Sequence, residues 1–412
     1  MMMLMTAAAS PVRCLSVFLF ALLLLIGTSG CAGRLDRAGE RFFAGEPQQA
    51  LQLLEKGDTL GQRNQLLYLL EQGLVLHQLG EYRQSTEKFR AAVALIKHFE
   101  RISVSEQAGA LVTTEWLKKY KGEYSERLWA HSYLMMNFLL LEDYEAALVE
   151  AKQAQELLDR YPDALKPAYF TRALIGLCFA NLDEHNGAYL VYRQLAADLP
   201  DPTKVAADIL RPAQHLGMPD EVEKYRALLP ADPPRGEAEL VLFVANGRIP
   251  RKRPGNLVLP PSIRFSFPYY RQVRTPRPQL EIQPRQRTLP VISSDLGEVA
   301  VASLDARKQQ IIAAETARVA SKEALAQAVG NKNDSATEAV VRVALFLLEE
   351  PDTRSWQTLP GRLSLVRIPL PAGEHRLRLQ LARAGKTGRA QLVELPSVEL
   401  RQGQRRFLSV RF

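Results

Sequence analysis

Residues 142–154 read Glu142-Asp143-Tyr144-Glu145-Ala146-Ala147-Leu148-Val149-Glu150-Ala151-Lys152-Gln153-Ala154, and this stretch decides the fold of the N-terminal half. Tyr144, Ala147, Ala151 and Ala154 fall three or four apart, on one face of a helix, and charged residues fill the other. The same offsets occur upstream in Gly80-Glu81-Tyr82 followed by Ser85, Phe89 and Ala92, with Gly73 seven residues before Gly80. A third copy starts at Asp183, with Ala188 and Tyr192 at the matching places and Gly176 seven residues upstream.

These are the offsets of a tetratricopeptide repeat, in which helix A and helix B form a hairpin that stacks on the next. A small residue on helix A (Gly73, Gly176) lets helix B approach closely. Tyr82 or Tyr144 opens helix B and fills the gap within the pair. Ser85 or Ala147 sits where the helices cross, and Phe89 or Tyr192 packs toward the next unit. The spacing is uneven: 62 residues from Gly80 to Glu142 and 41 from Glu142 to Asp183, against about 34 in a regular array. Residues 96–124 therefore read as a helical insertion carrying Trp116 and the Lys118-Lys119-Tyr120-Lys121 cluster. It either lines the concave face of the array or forms a longer helix pair with a solvated basic end.

Working outward toward the N-terminus, residues 1–30 read as a targeting segment rather than part of the fold. Arg13 supplies the positive region, Leu15–Ile26 is almost wholly apolar, and Gly27-Thr28-Ser29-Gly30 leads into Cys31. The apolar run is well short of the roughly 20 residues of a spanning helix. Small residues before a cysteine resemble a bacterial lipoprotein signal, with Thr28 where leucine is usual. That resemblance implies cleavage before Cys31, a diacylglyceryl group on its thiol, and export by the general secretion route. An ordinary secretory signal or an uncleaved anchor is the alternative. Ala32 after the cysteine, in place of the aspartate that favours inner-membrane retention, implies the periplasmic side of the outer membrane. Of the three cysteines, Cys14 then leaves with the signal, so Cys178 has no disulfide partner. Its apolar surroundings, Ile175–Phe179, suit a small core residue.

Toward the C-terminus, Pro230, Pro233 and Pro234 end the helical pattern. Ala238–Ala245 reads as a strand closed by Asn246-Gly247. Nine prolines between Pro250 and Pro290 leave edge strands and long loops for that stretch. Helical pattern returns over about 303–350, and alternating strands follow at Leu363–Ile368, His375–Leu381, Ala390–Leu395 and Arg406–Val410. The expected architecture is α+β and multidomain. A tetratricopeptide-like helical solenoid (31–229) and a Pro-rich linker (230–237) precede a small antiparallel β-sandwich-like module with inserted helices (238–412).

The chain carries a formal charge of +8, and its basicity is local. Residues 246–290 hold ten Lys/Arg (Arg248, Arg251, Lys252, Arg253, Arg264, Arg271, Arg274, Arg277, Arg285, Arg287) against Glu281, so the rest is close to neutral. In an exported protein such a patch points to anionic lipid, lipopolysaccharide phosphate or an acidic partner, not to nucleic acid. Arg248, Arg251, Lys252 and Arg253 are its candidate contact residues.

Sites for chemistry do not emerge. Gly385-Lys386-Thr387 lacks the upstream glycine and the following helix of a phosphate loop. The six histidines form no zinc-binding pair, Cys178 has no obvious partner base, and no nucleophile elbow is present. No cofactor, metal site or catalytic residue is expected, and the chain reads as a non-enzyme.

One segment stands out: Asp352-Thr353-Arg354-Ser355-Trp356-Gln357-Thr358-Leu359-Pro360, followed by Pro371-Ala372-Gly373-Glu374-His375. With Cys31, the Asp143–Leu148 repeat core and the strand ending at Asn246-Gly247, it resembles a family of proteobacterial tetratricopeptide-repeat lipoproteins along nearly the whole mature chain. The resemblance implies no assigned activity. Members are often encoded beside lipoproteins that activate peptidoglycan synthases, which implies envelope assembly. Asp352, Arg354 and Trp356 read first as a loop anchor, an Arg–Asp pair steadying a Trp, and second as a partner-binding site. The functional expectation is a lipid-anchored periplasmic scaffold whose repeats grip a protein partner. The alternative is a regulator that directly stimulates a cell-wall synthesis enzyme.

Overall fold

The computed structural model describes residues 29–58, 62–102, 119–229, 236–259, 263–271, 275, 279–283, 287–288, 291–330, 342–343, 346, 350–382 and 391–412. Its N-terminal half is a run of helix pairs: α1 (Ser29–Phe43) with α2 (Pro47–Asp58), α3 (Gln65–Gln78) with α4 (Tyr82–Ile102), and α5 (Tyr124–Leu140) with α6 (Tyr144–Arg160). After the short α7 (Pro162–Leu165) come α8 (Tyr169–Asn181) with α9 (His185–Asp198), and α10 (Ala206–His215) with α11 (Pro219–Ala227). The second helix of each pair also packs on the first of the next, so the units stack in series.

One turn makes every hairpin. Gly45, Gly80, Glu142, Asp183 and Gly217 each take a left-handed conformation, with φ of 83°, 81°, 62°, 53° and 67°. The next residue's N–H closes back on a carbonyl five residues earlier. These bonds are Glu46 to Arg41, Glu81 to Leu76, Asp143 to Phe138, Glu184 to Phe179 and Met218 to Ala213, at 2.9–3.1 Å. This is a Schellman-type helix stop, and two residues after the left-handed position the second helix begins. The units at Gly45 and Gly217 join the three seen in the sequence, and they lie 35 residues before Gly80 and 34 after Asp183.

The expected insertion over 96–124 is shorter than its range. Residues up to Ile102 continue α4, Tyr120 is buried at the approach to α5, and 103–118, with Trp116 and Lys118, lie outside the described residues. The linker residues 230–235 and the Gly385–Gly388 turn also lie outside them.

The C-terminal half holds β1 (Ala238–Asn246), β2 (Lys252–Leu259), β3 (Ile263–Tyr270), β4 (Gln279–Gln283), β5 (Arg287–Thr288) and β6 (Val291–Asp295). Then come α12 (Leu296–Ala306), α13 (Lys308–Gly330), β7 (Arg362–Leu370), β8 (Gly373–His375), β9 (Arg378–Ala382), β10 (Gln391–Glu394), β11 (Val398–Leu400) and β12 (Arg405–Arg411). The helical insertion starts earlier than expected, at Leu296, because Asp295 accepts the N–H groups of Gly297 and Glu298 and caps α12. Most of Glu338–Leu348 lies outside the described residues.

The expectation of an antiparallel module needs correction. The main sheet runs β12-β1-β7-β6, and β12 pairs with β1 in parallel while β7 pairs antiparallel with β1 and β6. The last strand returns from the far end of the chain to lie beside the first, a placement that strand alternation in a sequence does not encode. β1 is buried at every position but Glu239 because both faces of the sheet are covered. Val241, Phe243, Ala245, Leu363, Leu365 and Phe407 join the core of the helices. Leu240, Leu242, Val244, Val366, Ile368 and Leu370 pack on the other side with Leu377, Leu379, Val398 and Leu400. One hydrophobic core therefore crosses the 229/238 boundary.

Candidate functional site

The surface that the repeats were expected to offer a partner is the inner face, lined by the first helix of each pair. Here α3, α5 and α8 are buried almost all round, since the second helices cover one side and the sheet covers the other. β12 lies across this face, and alternate side chains meet different units. Arg405 hydrogen-bonds Asn181 at the end of α8. Phe407 packs near Tyr144, ring centroids 6.2 Å apart. The Ser409 Oγ meets His77 Nε2 of α3 at 2.8 Å, and the Arg411 guanidinium stacks over Phe42 of α1 at 4.6 Å. Period-two alternation of the strand thus becomes a row of pins across four units.

His77 continues inward. Its Nδ1–H donates to Asn137 Oδ1 at 2.6 Å, Asn137 donates to Ser85 Oγ, and Ser85 donates to the Gly73 carbonyl at 2.7 Å. Burial first, and then the charge of Arg411, hold the His77 pKa down to about 4 although the Asn137 bond favours the charged ring, so the ring is neutral at pH 7.

The Asp352–Pro360 loop enters the same face. Trp356 is fully buried, 5.6 Å from the Phe89 ring and 5.7 Å from Tyr133, and its indole N–H donates to Thr358 Oγ1. Two carboxylates on first helices receive the loop backbone. Glu126 of α5 accepts the Trp356 N–H at 2.8 Å and the Tyr120 hydroxyl. Glu71 of α3 accepts the Gln357 N–H at 2.6 Å and the Thr358 N–H at 3.2 Å, with the Thr358 hydroxyl. Burial pushes the Glu71 pKa up to about 7 against those donated bonds. Asp352 and Arg354 form a two-bond pair at 2.8 Å, and Arg354 also bonds Asn64 and lies over Tyr120. The loop is an anchor between array and sheet. As a partner-binding site Trp356 is corrected, because its ring already fills the space between helices.

The basic candidates separate. Lys252 Nζ is buried against Glu123 Oε1 at 2.7 Å, and Arg307 reaches the other oxygen at 2.5 Å. Burial raises the Glu123 pKa, but these two cations overcome it and hold the carboxyl at about 2. Lys252 is therefore a structural ion pair, not a contact residue. Arg248 is folded over Phe43 at 4.2 Å. Arg251 is exposed, 3.5 Å from Asp36, and Arg253 is exposed as well. Arg274, Arg277 and Arg285 lie outside the described residues.

The repeat residues sit as their types require. A Cβ at Gly73 would come within 2.8 Å of the Phe89 ring, and one at Gly176 within 2.6 Å of Tyr192. Ser85, Ala147, Ala151 and Ala188 are buried within the array, whereas Tyr82 and Tyr144 are only partly so. Cys31 lies in the first turn of α1, and Cys178 is buried with its thiol pKa raised by burial. Glu71, Glu123 and Glu126 were not singled out from the sequence. Their signal is a carboxylate inside a largely apolar helix segment, Leu66–Leu76, or at both ends of the capping box Glu123-Tyr124-Ser125-Glu126. Among the described residues no group of His, Cys, Asp and Glu is arranged to hold a metal.

Comparison with known proteins adds little to this geometry. No family model matches the chain, and no curated protein does. Solved structures with some likeness include MamA from residue 41 onward of Desulfovibrio magneticus RS-1, 14% identical, covering 48% of this chain and 91% of that one at a TM-score of 0.33. Another is a crystal structure of MamA protein, 16% identical, covering 48% and 88% at 0.35. Neither value is high enough to carry a fold or a function over.

Proposed function

We propose that the chain is a non-enzymatic interaction scaffold of the bacterial envelope, anchored through a lipid on Cys31, whose repeats serve as a frame for its own β module. The observation that carries this is the closed inner face: β12 and the Trp356 loop occupy the surface on which an open solenoid would hold a peptide. Partner contact then falls to the outer second helices, where Val149 of α6 and Leu190 of α9 stand exposed at matching positions, and to exposed cations such as Arg253.

The test is crosslinking in intact envelopes followed by pull-down, with Cys31→Ala as the unanchored control and mass spectrometry of the N-terminal peptide. The scaffold reading expects an acylated Cys31 and a partner lost on Val149→Asp/Leu190→Asp. An unmodified Cys31 removes the anchor. Partner capture indifferent to those substitutions removes the outer face. Stimulation of a purified cell-wall synthase, abolished by Arg253→Glu with capture intact, supports the regulator reading instead.

A further inference from the structure

The β2–β3 hairpin and the α12–α13 helices enclose an open groove of about 640 Å³, within the roughly 300–1,000 Å³ range of small-molecule sites. Its walls are apolar: Phe265, Phe267 and Tyr269 from β3, Leu304 from α12, Ile311 and Ile312 from α13. Phe267, Tyr269 and Ile312 are 42%, 43% and 55% exposed, so large apolar side chains stand in water around the mouth. Ser266, also in the lining, is 1% exposed, and its Oγ has no hydrogen-bond partner among the described residues. A buried hydroxyl without a partner is costly, and a ligand oxygen seated in the groove would satisfy it.

One exposed cation lines the rim and two more stand next to lining residues. Lys308 lines it, Arg253 is the cross-strand neighbour of Tyr269, and Arg271 follows Tyr270 directly. All three are exposed, and none has an ion pair among the described residues. Asp305, also exposed, is an acid on the same rim, and Glu315 in the lining is engaged by Arg318. Apolar walls, one unsatisfied hydroxyl and the exposed cation Lys308, with Arg253 and Arg271 nearby in strand and sequence, fit one long-chain carboxylate. We infer that this groove binds a free fatty acid as a monomer, with the acyl chain between hairpin and helices and its head group toward Ser266 and Lys308. This does not depend on the anchor or on any protein partner.

Calorimetric titration of the full chain with saturated carboxylates from octanoate to palmitate, below their micelle concentrations, tests it. Affinity should rise about fourfold per methylene, then level off once the groove is full. Ile312→Asp, at an exposed position, should weaken binding at least roughly tenfold, as expected for a charge placed against the buried acyl chain. Lys308→Glu should weaken carboxylates more than the matching alcohols. No binding, no dependence on chain length, or equal affinity in Ile312→Asp overturns the proposal. So does binding confined to anionic vesicles, which would make the hairpin a membrane-contact surface instead.

Discussion

At the scale of single residues, three buried polar groups, Lys252, His77 and Glu71, show how much depends on their partners. Lys252 and Arg253 are adjacent in one basic run, yet the first is buried on Glu123 and the second is exposed. Removing one partner of a buried pair leaves a charge uncompensated, at a cost of about 3–5 kcal/mol. Arg307 still reaches Glu123, so Lys252→Met should cost less, roughly 2–3 kcal/mol, while Arg253→Met should stay within about 0.5 kcal/mol. Urea unfolding of both variants checks this, and equal midpoints would remove the ion pair's role. His77 gives a pH dependence. Its folded pKa of about 4 lies below the unfolded value near 6.5, so the unfolded chain binds the extra proton. The stability from neutral His77 is complete above about pH 6.5 and is lost as pH falls toward 4, up to roughly 3 kcal/mol. Glu71, raised to about 7, acts in the opposite sense, costing stability as pH rises from about 4.5 through 7. His77→Gln should raise the urea midpoint at pH 4.5 relative to that at pH 6.5 compared with the parent chain, because Glu71 then acts unopposed, and an unchanged pH profile would assign the dependence to other groups.

At the scale of elements, the hairpin turn is the unit that repeats, and it was legible only where the second helix opens with the expected pattern. Tyr82 and Tyr144 revealed two units in the sequence, and Ala188 with Tyr192 a third. The units at Gly45 and Gly217 open instead with Pro47 and Pro219, which suit the first position of a helix but carry no aromatic. The left-handed position tells the same story in energy. Gly45, Gly80 and Gly217 take it freely, while Glu142 takes it with a Cβ, a cost of roughly 1–2 kcal/mol. The Glu142 carboxylate pairs with Arg406, both about half exposed, which returns about 0–1 kcal/mol. Glu142→Gly should therefore stabilise the chain by roughly 0.5–1 kcal/mol. Asp183→Gly should gain less, because aspartate tolerates this conformation better. Thermal or urea unfolding of the two variants decides, and a Glu142→Gly variant less stable than the parent would mean the surface pair outweighs the backbone cost.

At the scale of the molecule, sequence patterning separated helices from strands but divided the chain where the fold does not. Composition changes sharply at Pro230–Pro234, so a domain boundary was the natural expectation. The contacts that cross it are made one residue at a time by alternate positions of β12, by the Trp356 loop and by lone carboxylates on α3 and α5. None of these has a local signature, because each depends on a partner between 224 and 332 residues away. Since Phe42, Phe89, Tyr133, Phe243, Trp356 and Phe407 belong to one core, array and β module should unfold together. Tryptophan emission, which Trp129 and Trp356 report from buried sites, and far-ultraviolet circular dichroism, dominated by the helices, should give coincident urea transitions. A fragment of residues 31–229 should expose the apolar inner faces of α3, α5 and α8, bind a hydrophobic dye and associate. A fragment that stays monomeric, with the parent's helicity and a cooperative transition of its own, would show that the repeats are an independent domain. The inner face would then be open to a partner whenever β12 lifts away.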